Sequence, residues 1–326
     1  SPTYAGREWR GHRIEGLLLN ARMVQGLFDD RNPATIDRWA YPDTKKWDPD
    51  RNTREFIAAM PEWRRHGLLS FDICLQGGSP TGYSKQQPWV NNPFEPDGRF
   101  GPTGAAYLGR LAAILDKADE LGMAPILCIF YFGQDEHLAD DAAVLRALDH
   151  SIDWVLDRGY ANVLIEIANE ADNGKYEQPL LKPARMPELI ERVKERSGGR
   201  LPVSVSLCGG RVPDAALVEA CDYILLHGNR VDSPQRIRGM VDEVRATRTY
   251  RGQPILFNED DHFDFDKPDN HFVAAVSRYA GWGYFDYRME GEEFEQGYQS
   301  VPVDWGIGGA RKKGFFNLLR EMTAGL

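Results

Sequence analysis

Cysteine is scarce in this chain, four in 326 residues, and no CxxC pair occurs, which argues against a zinc ribbon or a redox couple. Cys74, Cys128 and Cys208 fall in or beside apolar runs, where a free thiol behaves as a small hydrophobe. A Cys74–Cys128 bridge requires their strands to be neighbours, but four scattered cysteines do not make a disulfide framework. Long apolar runs are also missing, and nothing approaches the ~20 residues that span a bilayer. Basic residues form no stripe: 39 Lys and Arg face 49 Asp and Glu, for a net charge of −10. Nucleic acid and anionic membranes are therefore not expected partners. HExxH and a His-x-His first strand are absent, as is a glycine-rich phosphate loop, since the first strand runs into Asn20-Ala21-Arg22-Met23.

What is present is rhythm. A hydrophobic fraction of 42% allows a large core, and short apolar runs alternate with amphipathic stretches throughout. Strands are predicted at 14–20, 68–75, 124–131, 163–170, 201–207, 223–227, 253–259 and 282–287. Helices are predicted near 52–66, 105–121, 141–158, 184–196, 214–220, 233–248, 270–279 and 309–322. These strands are too apolar to have a wet face, and helical crossovers between them imply parallel strands buried on both sides. Eight such units predict an α/β fold, a single (β/α)8 TIM barrel over residues 1–326 with long βα loops. The loop from Gln76 to Gly104 exceeds ~15 residues, a length usually tied to function. Its Tyr83, Trp89, Phe94 and Phe100 are either sugar-stacking surfaces or packing beneath the loop. The chain opens Ser1-Pro2-Thr3, as a processed or trimmed chain does, and a secreted or periplasmic location is the expectation.

Barrel chemistry collects at the C-terminal ends of strands. Those ends supply Arg22, Gln76, Tyr131, Asn169, Glu170, His227, Asn229, Asn258, Glu259, Asp286 and Tyr287, with Asp135-Glu136-His137 just beyond the third. Asn-Glu occurs twice, as Asn169-Glu170 ending strand four and Asn258-Glu259 ending strand seven. Strands four and seven lie on roughly opposite sides of an eight-stranded barrel, so the two glutamates can converge across its mouth. Glu166, four residues before Glu170, faces the same way and is expected to be paired inside the barrel. Asp260 is expected to point away from the mouth, with His262 or Arg22 offsetting Asp261.

With Asn169-Glu170 after strand four and Glu259 ending strand seven, the chain resembles the clan A retaining glycoside hydrolases, which include the cellulase-like family 5 enzymes. That resemblance implies Glu170 as acid/base, Glu259 as nucleophile and Asn169 as ligand of the sugar 2-hydroxyl, with no cofactor and no metal. Retaining hydrolysis needs the two carboxyls ~5–5.5 Å apart and their pKa values separated, with Glu170 neutral. Arg22, Gln76, His227, Asn229, Tyr287, Trp89 and Trp305 complete the expected carbohydrate contacts. The chain departs from the family where a tyrosine usually follows the strand-six histidine, since His227 precedes Gly228-Asn229-Arg230. It departs again at strand eight, which begins rather than ends in tryptophan, at Trp282. Two other classes fit the same residues: a metal-dependent barrel hydrolase or isomerase using Asp135-Glu136-His137 or the Glu259–His262 cluster, and a non-catalytic carbohydrate-binding barrel.

Overall fold

The computed structural model describes residues 2–82 and 87–325. A short antiparallel ribbon, Glu8–Trp9 with His12–Arg13, precedes the barrel. The barrel strands are β1 (Asn20–Arg22), β2 (Ser70–Cys74), β3 (Ile126–Tyr131), β4 (Leu164–Asn169), β5 (Val203–Ser204), β6 (Ile224–His227), β7 (Ile255–Glu259) and β8 (Gly283–Tyr284). They alternate with α1 (Pro49–Arg65), α2 (Pro102–Glu120), α3 (Asp141–Asp157), α4 (Met186–Ser197), α5 (Ala215–Ala220), α6 (Pro234–Ala246), α7 (His271–Ser277) and α8 (Ala310–Thr323).

All ladders between these strands are parallel. Strands run β8-β1-β2-β3-β4-β5 in one sheet and β6-β7 in a second. Parallel bridges Leu256–Gly281 and Asp260–Tyr284 join β7 to β8. The β5–β6 seam is closed through Asp222, whose backbone N–H donates to the Val203 carbonyl at 3.0 Å. The result is a (β/α)8 barrel whose strand interiors are buried on both faces. Helix starts follow capping chemistry: Asp48, Asp140, Asp214, Ser233 and Asn270 each accept a backbone N–H of the first turn.

Two local expectations are corrected. The first strand begins at Asn20 rather than Ile14, because Gly16 takes a left-handed φ of +87° and Leu17 N–H closes a turn onto the Ile14 carbonyl at 3.0 Å. The first helix begins at Pro49 rather than near residue 52, because Asp48 caps it by accepting the Arg51 N–H at 2.8 Å. The side chains of Asn52 and Thr53 donate to the carbonyls of Gln25 and Gly26, each at 2.8 Å, tying the β1–α1 loop to the helix. Cys74 and Cys128 are register partners on β2 and β3 and both remain free thiols.

Candidate active site

The C-terminal mouth of the barrel opens into a cavity of 610 Å³, lined by Tyr131, Phe132, Glu170, Asn229, Glu259 and Phe285 among others. A larger cavity, 850 Å³, lies away from these residues, beside the N-terminal ends of β4, β6 and β7, walled by Leu17, Tyr223 and Pro254. The mouth is where barrel chemistry is expected, and it holds the titratable cluster.

Glu259 closes β7, buried by its strand neighbours. Its Oε2 lies 2.8 Å from Arg22 Nε, and its Oε1 accepts from Asn229 Nδ2 at 2.7 Å. Asn229 thus supplies a hydrogen bond to this carboxylate just after strand six, where the family resemblance implies a tyrosine. Arg22 also donates to Asn169 Oδ1 at 2.6 Å, which fixes the orientation of the Asn169 amide. The guanidinium lies 3.7 Å from Asp72 as well. Burial pushes the Asp72 carboxyl up to about 8, which favours its neutral form and leaves the Arg22 charge to Glu259.

Glu170 sits just past β4 with a left-handed φ of +49°. Such a conformation costs a non-glycine residue roughly 1–3 kcal/mol and persists only where the surroundings impose it. Its Oε2 accepts from Asn173 Nδ2 at 3.0 Å, and its Oε1 lies 3.4 Å from His227 Nδ1. The same Nδ1 is 3.7 Å from Glu259 Oε2. One atom each of Glu170, His227 and Glu259 falls within 4.8 Å of the other two, so the two carboxyls face each other across a single gap with the imidazole between. His227 Nε2 has no hydrogen-bond partner among the described residues, so within the protein the ring exchanges its proton through Nδ1.

This arrangement corrects the expectation that Glu170 rests neutral. Burial raises a carboxyl, but the His227 hydrogen bond and charge outweigh it and draw Glu170 down to about 2. Burial lowers an imidazole, and here the charges of Glu259 and Glu170 outweigh it, so His227 is raised. The contact between Glu170 Oε1 and His227 Nδ1 thus lowers the one group and raises the other. Glu259 is raised above the ordinary glutamate value by burial, against the pull of His227 and Arg22.

The remaining expected residues divide sharply. Gln76 is buried and engaged by the protein: its Oε1 accepts from Tyr131 N–H at 3.1 Å and its Nε2 donates to the Gln134 carbonyl at 3.2 Å. It shapes the third strand's end rather than meeting a ligand. Trp305 lies in the core against Phe56 (4.7 Å between ring centroids) and Tyr298, its Nε1 donating to Asn52. Trp89 is likewise buried, edge-on to Trp39. Neither tryptophan is a stacking surface, because a large ring with an apolar pocket available buries there first. Phe94 is buried beneath the loop as well, and Tyr83 lies outside the described residues. Tyr287 sits behind Gly82, which lines the cavity.

The aromatic surfaces that do line the cavity are Tyr131 and Phe132, 4.3 Å apart, and Phe285. Phe132 lies one residue past the expected end of the third strand and Phe285 two residues before the expected end of the eighth, so a reading of strand ends alone passes over both. Asn173 and Ser206 were missed too. Asn173 had only a turn signal, and Ser206 only a place inside a predicted strand.

Among the described residues, two clusters have the donor groups for a metal. In the first, Asp260 is fully buried and points away from the mouth, accepting from His262 Nδ1 at 2.7 Å, His271 Nδ1 at 2.9 Å and Trp282 Nε1 at 2.9 Å. The two imidazoles stack at 3.9 Å. These are hydrogen-bond lengths to an already saturated carboxylate, and the cluster reads as a buttress beneath β7. In the second, Arg22 already occupies Glu259 Oε2, so a divalent cation among Glu170, His227 and Glu259 would meet a fixed positive charge. Asp135 belongs to neither cluster, since its Oδ2 accepts the N–H groups of Glu177 and Gln178, both at 2.8 Å.

No family model and no curated protein matches this chain. Solved structures do. A broad-specificity endoglucanase of family GH5-4 from Bacteroides salanitronis superposes with a TM-score of 0.59 at 14% identity, covering 94% of this chain and 93% of its own. A family 5 mannosidase from Rhizomucor miehei gives 0.55 at 12%, covering 99% and 97%. An endo-1,4-beta-mannanase from the same organism gives 0.57 at 11%, covering 95% of both. The fold is the one these glycoside hydrolases share. At such identities the likeness extends to architecture, and the chemistry rests on the residues.

Proposed function

We propose that this protein is a retaining β-glycoside hydrolase acting on an oligo- or polysaccharide. The observation that carries the reading is the facing of Glu170 and Glu259 with oxygens inside 4.8 Å. That gap suits direct attack by a carboxylate and is too short to seat a water beside the sugar, which needs ~6.5–9.5 Å between carboxyls. Glu259, fixed by Arg22 and Asn229, attacks the anomeric carbon while Glu170 delivers a proton to the departing oxygen. The charge that builds on the leaving oxygen draws that proton from His227 Nδ1 through Glu170. Water then cleaves the glycosyl-enzyme with Glu170 as base. Asn169, oriented by Arg22, offers its amide hydrogens to a sugar hydroxyl, and Tyr131, Phe132 and Phe285 give ring faces to the sugar. The endoglucanase, mannosidase and mannanase that share this fold support a glycoside as the substrate.

The test is the configuration of the first-formed product, followed by proton NMR on a panel of aryl β-glycosides. A β-anomer appearing first is the expected result; a first-formed α-anomer overturns the mechanism.

A further inference from the structure

Ser206 lies two residues beyond β5, fully buried, and belongs to no part of the mechanism above. Its Oγ accepts the backbone N–H of Glu170 at 2.9 Å, and its own hydroxyl proton goes to Glu166 Oε1. Glu166 is one of two buried carboxyl groups beneath the mouth, and Asn258 Nδ2 lies 2.8 Å from Asp72 and 3.5 Å from Glu166. A hydroxyl has one proton. Because Glu166 takes it, the lone pairs of Ser206 face the Glu170 amide, and that amide belongs to the residue with the left-handed φ of +49°. The next residue is tied to the same place, since Ala171 N–H donates to the Ser206 carbonyl at 3.0 Å. The two peptide groups that frame the Glu170 Cα are both held by Ser206. His227 and the Asn173 amide hold the far end of the side chain, and the Asn173 N–H donates to the Glu170 carbonyl at 2.7 Å.

We infer that Ser206, its hydroxyl oriented by Glu166, is the positioning residue that holds Glu170 in its strained backbone conformation and so aims its carboxyl at the departing oxygen. This rests on the reading of Glu170 as acid/base. Losing the Ser206 hydroxyl leaves a buried N–H without a partner and releases the chain at Glu170 toward ordinary φ, swinging the carboxyl off line. A displacement of the order of 1 Å can cost on the order of 100-fold in rate, and it costs only the step that needs the proton.

The experiment compares two aryl glycosides of one sugar, one with a dinitrophenolate leaving group that departs without protonation and one with an unactivated phenol. Ser206→Ala is expected to lower kcat/KM on the phenyl glycoside on the order of 100-fold while leaving the dinitrophenyl glycoside little changed, and Glu166→Gln to shift the same ratio in the same direction. Ser206→Cys, which keeps the side chain's shape with a weaker acceptor, carries the test if the alanine variant does not fold. Equal loss on both substrates means Ser206 supports the fold alone and overturns the inference. Glu170→Ala serves as the reference: if it too affects both substrates equally, the acid/base reading fails, and that failure is distinguishable from failure of the Ser206 claim.

Discussion

Arg22 carries more of the site than any other single side chain, since it touches Glu259, Asn169 and Asp72 at once while almost wholly buried. Removing one partner of a buried charge pair strands the others, at a cost of roughly 3–5 kcal/mol. Arg22→Met is therefore expected to lower the urea midpoint as well as abolish turnover, whereas Asn169→Ala should lose turnover with stability largely kept. Protonation gives a second residue-scale expectation. Glu259 must be ionised to attack, and its carboxyl is raised, so activity should fall on acidification at a pH above that of an ordinary glutamate. The shared proton is lost only through the raised His227, so the alkaline limb should lie above the ordinary histidine value of ~6.5. A pH profile of kcat/KM checks both limbs, and His227→Gln should bring the alkaline limb down. Beneath β7, the raised His262 and lowered Asp260 make a stability term. Its His262 part is complete below the unfolded histidine pKa and lost as pH rises through the folded one. The melting temperature of the native protein should decline over that window, and His262→Gln should flatten the decline.

Among the elements, β8 is the one whose length decides closure. It has two laddered residues, and its approach to β7 and β1 depends on Gly281, where a Cβ would meet the Leu18 carbonyl oxygen at 2.3 Å. Gly281→Ala forces that backbone apart and should destabilise by roughly 1–3 kcal/mol, read as a lowered melting temperature with the cavity chemistry retained in the folded fraction. The strands that carry chemistry were legible from sequence because burial on both faces writes a continuous apolar run. Val163–Glu170 and Gln253–Glu259 contain β4 and β7 within two residues. The helices were legible from their apolar stripes and stops. Side-chain destinations in the loops were not. Trp89 and Trp305 look the same in sequence whether they face a sugar or a core, and only the packing of Trp39 on the first and of Phe56, Trp63 and Tyr298 on the second decides. Asn229 as the hydrogen-bond donor to Glu259 needed the turn after β6, and Ser206 needed the φ of a residue thirty-six positions earlier.

At the scale of the molecule, the barrel brings four carboxylates, one arginine and one histidine into its throat from β1, β2, β4, β6 and β7. That set cannot be fully ionised without a large desolvation cost, and burial raises Asp72 while the charges of Glu259 and Glu170 raise His227. Because Arg22 supplies fixed positive charge at Glu259, turnover is expected to survive exhaustive chelation with EDTA; loss of activity restored by a divalent cation would favour the metal-dependent class instead. The central claim is that Glu259 becomes covalently bonded to the sugar. Incubation with activated 2-fluoro β-glycosides, followed by mass spectrometry of the peptide that holds residues 255–261, tests it most directly. The account expects one glycosyl adduct per chain, on Glu259, and none in Glu259→Ala; inactivation with the label on another residue, or turnover by Glu259→Ala at the native rate, would contradict it.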